Sequence, residues 1–460
     1  MQTTHHQTNQ KLLTTFIGTI LGILVFLAVL GGLPAPEQIS VFVLGLVVLI
    51  VITLGFAVAG WHLLARPLPE GLRQQGRLHI TPTEYQGLAI AMFASHILLT
   101  VGGVWDEIWH VRYGLALGED FFWRPHIMMY IGFIGVFLLG IYAWHSILTQ
   151  GTGTLQQRFR ANKLLGVLAL MGAFMAYALP ADPIWHMIYG EDLTAWSLPH
   201  VLLILIWVMV SIIAIGLQMA VASKREWASI LKLNANDLIP LLVVSFINLM
   251  VLVMLATEWE YFNITGTLAL DGLDYPDWLF PLFIAFTATF SGVLINLSTR
   301  RYGSATLVGL LTVGIRLGLV YALDHVVHSA NPWLLTLGPL IALDVLFALY
   351  ARRSAPPVWI IAIGASLGMM LITLPVLSQL YAVPEIRSDN LIPIALAVTI
   401  GAMLATWLVH TITTFLVDHT RSQPATSNRT RLMWMAPLAF SVLAIFIIWL
   451  IITAQPPVLS

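Results

Sequence analysis

The chain has 460 residues, 58% of them hydrophobic and only 9% charged, with a formal net charge of −1 and no cysteine. A water-soluble chain carries about 25% charged residues, so these charges cannot cover a water-facing surface and most of the surface must face lipid. A near-neutral charge gives no case for nucleic-acid binding, and the missing cysteines exclude disulfides, thiolate zinc sites, iron–sulfur clusters and cysteine nucleophiles.

The N-terminal stretch Met1 to Gln10 is polar and leads into an apolar run over about residues 12–33. That run lacks a small-residue cleavage site and reads as a retained helix. Apolar runs of about 20 residues, enough to span a bilayer, then recur near 41–65, 85–105, 127–148, 164–181, 199–222, 238–257, 279–298, 304–323, 333–350, 358–378, 391–417 and 434–453. The expected fold is an all-α, polytopic transmembrane helix bundle of about 13 helices, forming a single integral membrane domain over 1–460.

The connections between the runs alternate in charge. With the N-terminus cytoplasmic, only Arg112, Arg124 and Arg387 of the 21 Lys and Arg residues fall in outer segments, and Arg316 lies within a span. The opposite orientation would break the positive-inside rule. The expected location is therefore a plasma or inner membrane, with the C-terminus outside. The outer segments are acidic, with Asp106, Glu107, Glu119, Asp120, Asp182 and Glu191 among their residues.

Two outer stretches resemble each other. Asp106-Glu-Ile-Trp-His110-Val-Arg-Tyr-Gly114 matches Asp182-Pro-Ile-Trp-His186-Met-Ile-Tyr-Gly190 at an offset of 76 residues. Both continue with Glu-Asp and a Trp, then end in Pro-His at the next span, Pro125–His126 and Pro199–His200. A third copy starts at Glu258 and keeps Trp278 and Pro281, but has Leu282 where the second His would fall. The copies cover about 85–148, 164–222 and 238–298. A shorter relative is Asp324-His325-Val-Val-His328. Tandem hairpins account for architecture without chemistry, and Pro at a helix start with Trp at the lipid boundary is ordinary.

The Asp and His residues carry more information. On a helix, residues i and i+4 share a face, so Asp106 with His110, and Asp182 with His186, point the same way. Each hairpin then brings a second His back to the same membrane surface. Ionisable groups at that depth are costly unless paired or functional. Three readings compete: each Asp hydrogen-bonds its own His and caps the helix end; the groups form a metal site with nitrogen and oxygen ligands; or they form a proton relay. The candidate metal ligands are Asp106, His110, His126, Asp182, His186, His200, Asp324, His325 and His328, and the two hairpin sets could share a single centre. Imidazole with carboxylate and no thiolate suits copper, with zinc or non-haem iron as alternatives.

The order Asp-x3-His, a short loop, and a second His at the next helix start resembles the copper-site motif of the C subunit of particulate methane and ammonia monooxygenases. The resemblance implies a copper ion near the outer membrane face, held by Asp182, His186 and His200, with a second match at Asp106, His110 and His126. It also implies oxidation of small apolar molecules or ammonia. The likeness is local: it runs only from the Asp to the second His of each copy, the histidines are spaced further apart than in the family, and this chain carries the motif twice.

His96 and His410 fall within spans, where they could ligate a haem or make contacts between helices. Arg316 and Asp344 lie in adjacent spans and offer an ion pair. Gly102–Gly103 suit a close helix approach, and Met128, Met129 and Met187 flank the histidines as soft contacts for copper(I). Three functions are compatible with the sequence: a membrane metalloprotein such as a copper-dependent oxidoreductase, a cation or metal transporter, and a non-catalytic scaffold. Expected partners are the lipid bilayer and other membrane subunits.

Overall fold

The computed structural model describes residues 39–65, 70–113, 122–189, 198–221, 226–233, 235–265, 276–323, 336–351, 355–376, 386–420 and 430–454. The expected 12–33 span lies outside them. Every other expected span falls on a helix: α1 (Ile39–Gly60, running into a π turn Trp61–Ala65), α3 (Pro82–Tyr113), α4 (Arg124–Thr149), α6 (Lys163–Tyr189), α7 (Leu198–Val221), α8 (Ala235–Thr265), α9 (Leu279–Thr299), α10 (Ser304–Leu323), α11 (Leu337–Tyr350), α12 (Val358–Gly368), α13 (Leu391–Thr420) and α14 (Thr430–Ile452). Two short helices, α2 (Glu70–Gln75) and α5 (Leu155–Ala161), lie in connections. Among the described residues eight helices are long and apolar enough to cross a membrane. The protein is a multi-pass, all-α membrane protein, and the stretches expected as copies fall on α3–α4, α6–α7 and α8–α9.

The chain divides into two compact units. One comprises residues 1–81 and 133–213, the other 82–132 and 214–460. In the first unit, α4 and α6 meet at Gly140 and Gly172, where a Cβ built on Gly140 would lie 2.5 Å from the Cα of Gly172. Small residues let transmembrane backbones approach this closely. Tyr177 on α6 donates its hydroxyl to the carbonyl of Leu49 on α1 at 3.2 Å. At one end Asn162, between α5 and α6, donates to Gly76 O at 2.9 Å and accepts from Leu78 N at 3.0 Å. One amide side chain thus pairs with a backbone C=O and a backbone N–H of the segment that precedes α3.

The second unit is built around α9, which packs on α8, α10, α11 and α13 and is buried along almost its whole length. Its interior is polar where helices meet. Asn248 on α8 donates to the hydroxyls of Thr312 and Thr336, and Asn296 on α9 donates to Asp344 on α11. Large apolar side chains such as Leu371 and Trp407 point outward. This distribution suits lipid, which can satisfy no hydrogen-bonding group. α11 starts later than the 333–350 run suggests, because Thr336 is non-helical and buried. At the other end of α11, a two-residue parallel bridge joins β1 (Ala228–Ser229) to β2 (Arg301–Tyr302). There Arg301 approaches the buried Asp237 at 3.8 Å, and Trp227 stacks on Phe347.

Candidate metal centre

The last turns of α3 bury Trp105, Ile108 and Trp109. Asp106, between them, is left at the edge of the packed face. After the connection, Trp123 is buried and α4 begins at Arg124, with Pro125 in its first turn, where a missing N–H is harmless. His126 follows, and its Nε2 stands 2.8 Å from Asp106 Oδ1, with the side chains 17% and 21% exposed. A Cβ on Gly102, one turn before Asp106, would lie 2.7 Å from Met129 Cγ and 3.0 Å from the Pro125 carbonyl. The bare glycine therefore sets the α3–α4 spacing beside the pair. An aromatic row, Trp105, Trp109, Trp123, His126 and Tyr130, runs alongside with successive ring centroids 5.2, 5.6, 6.2 and 6.1 Å apart.

The second hairpin repeats the arrangement. α6 carries Asp182, α7 opens on Leu198 and Pro199, and His200 Nε2 lies 3.2 Å from Asp182 Oδ1. The connecting loops differ in length, since Asp106 to His126 is longer than Asp182 to His200, yet the contact is kept. The Asp contact seen is with the His of the returning helix. His110 and His186 each sit one turn beyond their Asp on the same helix face, on α3 and α6; their side chains lie outside the described residues, as do Asp324, His325 and His328 altogether. Among the described residues no group of three His, Asp or Glu side chains could hold a metal ion.

The separations of 2.8 and 3.2 Å place an imidazole nitrogen in ion-pair contact with a carboxylate oxygen. They also suit two donors on one ion: bonds of about 2.0–2.2 Å meeting near a right angle leave the donor atoms roughly 3 Å apart. A third donor separates the two arrangements, and in each hairpin the position one turn past the Asp is occupied by His.

The sequence pattern offers Asp344 as the partner of Arg316, and that expectation is corrected. Arg316 grips Glu107 through Nη1 to Oε2 and Nη2 to Oε1, with Arg316 fully buried and Glu107 nearly so. Asp344 accepts hydrogen bonds from Ala305 N, Thr306 N and Thr306 Oγ1, so it caps the start of α10. The signal for Glu107 is its neighbours: once α3 is extended to Tyr113, the carboxylate sits between buried residues and must find a cation. In the third copy, Asp277 meets Arg387 at 3.1 Å and Asn390 at 2.8 Å, and Leu282 holds the position of the second His.

Of the flanking methionines, Met187 is 80% exposed and Met128 is buried. His96 is buried, in edge contact with Phe246, and reads as a helix–helix contact. Comparison of the chain with protein-family models, curated proteins and solved structures gave no match.

Proposed function

We propose that the protein is a membrane metalloprotein, with a metal ion held at the hairpin ends by Asp106, His110 and His126, and a second by Asp182, His186 and His200. One observation carries the reading: two hairpins of different loop length bring the same carboxylate oxygen and the same imidazole nitrogen to 2.8 and 3.2 Å. A contact that survives a change in loop length is under geometric constraint. An imidazole–carboxylate set without thiolate favours copper, with zinc or iron as the other candidates. The local resemblance to the copper membrane monooxygenases points the same way and suggests oxidation of a small substrate. A redox-active ion would supply dioxygen activation, and a redox-inert one would polarise a bound oxygen. The chain's own part is to hold the ligands, with Trp123 beside the His126 ring and Trp109 packed against Trp123. The charge pattern supports an outer-face location.

A carrier would need Arg316 and Asp344 for a polar route. Both are committed to helix packing, one to Glu107 and the other to the start of α10, so the metalloprotein reading accounts for more of the molecule.

The test is metal content. Detergent-purified protein is loaded with Cu(II), dialysed and measured beside His126→Ala and His200→Ala. The expected result is two equivalents in the wild type and one in each variant. Equal, near-zero copper and zinc in all three would overturn the reading.

A further inference from the structure

We infer that the Glu107–Arg316 pair is a positioning element that makes the first hairpin's Asp–His centre the tighter of the two; this rests on the metalloprotein reading. Asp106 and Glu107 are successive residues of α3. A two-point grip on Glu107 by a fully buried Arg316 fixes both the rotation and the depth of the turn that carries Asp106. A bidentate guanidinium–carboxylate contact has a preferred plane, so it resists twisting as well as sliding.

The second hairpin lacks each element of this support. Pro183 follows Asp182 where Glu107 follows Asp106. Pro180 and Pro183 both lie inside α6, and each removes a helix hydrogen bond from the turns around Asp182. Ala178 stands where the repeat register places Gly102, so that backbone is not bare at the matching position. Groups that orient metal ligands commonly change affinity by about 10- to 100-fold.

The experiment isolates one centre at a time. His200→Ala leaves only the first and His126→Ala only the second. Cu(II) affinity and the copper paramagnetic resonance spectrum are measured in each background, with and without the double change Glu107→Leu/Arg316→Met, which leaves no orphan charge. The first centre is expected to bind about tenfold or more tightly than the second. The double change is expected to weaken it by about the same factor and broaden its spectrum, with the second centre unmoved. A merely structural pair would shift both centres together or neither, and that result overturns the inference while leaving the metal reading intact. Equal affinities in the two backgrounds also overturn it, and need no change at the pair. Absence of copper binding in both backgrounds defeats the metal reading and this inference with it.

Discussion

Arg316 on α10 and Glu107 on α3 stand 209 residues apart in sequence and meet through two parallel hydrogen bonds, both groups buried. Each lies in a helix apolar enough to span a membrane, where a lone charge is expensive. Removing one partner leaves the other uncompensated, at about 3–5 kcal/mol, whereas replacing both with apolar groups is often close to neutral. Arg316→Met alone is therefore expected to lower the unfolding temperature of detergent-solubilised protein far more than Glu107→Leu/Arg316→Met. Thermal unfolding followed by tryptophan fluorescence checks the order. Single and double variants of equal stability would mean that the charges do not need each other.

Asp344 illustrates a different use of a buried charge. Its carboxylate accepts from Ala305 N at 3.2 Å, from Thr306 N and Thr306 Oγ1 at 2.7 Å, and from Asn296 Nδ2 at 3.0 Å. Helix starts have orphan N–H groups, and here the acceptor comes from a neighbouring helix. Asp344→Ala leaves several donors without this acceptor, at about 1–3 kcal/mol each. Thr306→Val removes one hydroxyl donor but keeps the N–H contact, at about 1 kcal/mol. Unfolding measurements on the two variants should show a loss several times larger for Asp344→Ala. Similar small losses would mean that the cap is incidental.

The membrane spans were legible because they depend on composition over some 20 residues, which tertiary contacts rarely override. Boundaries were less so: α3 runs on from the expected 85–105 to Tyr113 because its last turns bury Trp105, Ile108 and Trp109. That extension hid the partner of Arg316, since Glu107 reads as a loop acid unless the helix is known to continue. Asp344 was the visible candidate because it lies in the next helix, but adjacency in sequence does not set which faces meet. The repeat places Asp106 and His126 at one end of a hairpin, but the i, i+4 spacing pointed each Asp at the His of its own helix, and the contact described is with the returning helix. What the spacing does not carry is atomic separation, because it depends on how closely α3 and α4 pack at Gly102.

Gly102 gives a prediction that connects packing to the candidate centre. With Met129 Cγ and the Pro125 carbonyl at 2.7 and 3.0 Å from an added Cβ, Gly102→Val must push α4 away beside His126. The expected outcome is a loss of Cu(II) binding at the first hairpin with the second retained, read as one equivalent in place of two. Retention of both equivalents would show that the Asp–His contact does not depend on this approach.

The Gly140–Gly172 contact provides a control away from any ligand. The built Cβ atoms fall 2.5 and 2.7 Å from the opposing Cα atoms, so Gly140→Leu and Gly172→Leu each force α4 and α6 apart. Overpacking of this kind costs about 1–3 kcal/mol. Because the two residues touch, the double variant should lose less than the sum of the singles. Additive losses would place the strain elsewhere.

Orientation can be read directly because the chain has no cysteine, so a single introduced thiol has no background. Phe122, 82% exposed, precedes α4, and the exposed Gln156 follows it in α5. α4 has 26 residues, and at about 1.5 Å per residue it is long enough to cross the bilayer. Phe122→Cys should therefore react with a membrane-impermeant maleimide added outside intact cells. Gln156→Cys, in the connection that carries Arg158 and Arg160, should react only after the membrane is opened. The reverse pattern would place the Asp–His ends on the cytoplasmic side, and labelling of both positions from outside would mean that α4 does not cross.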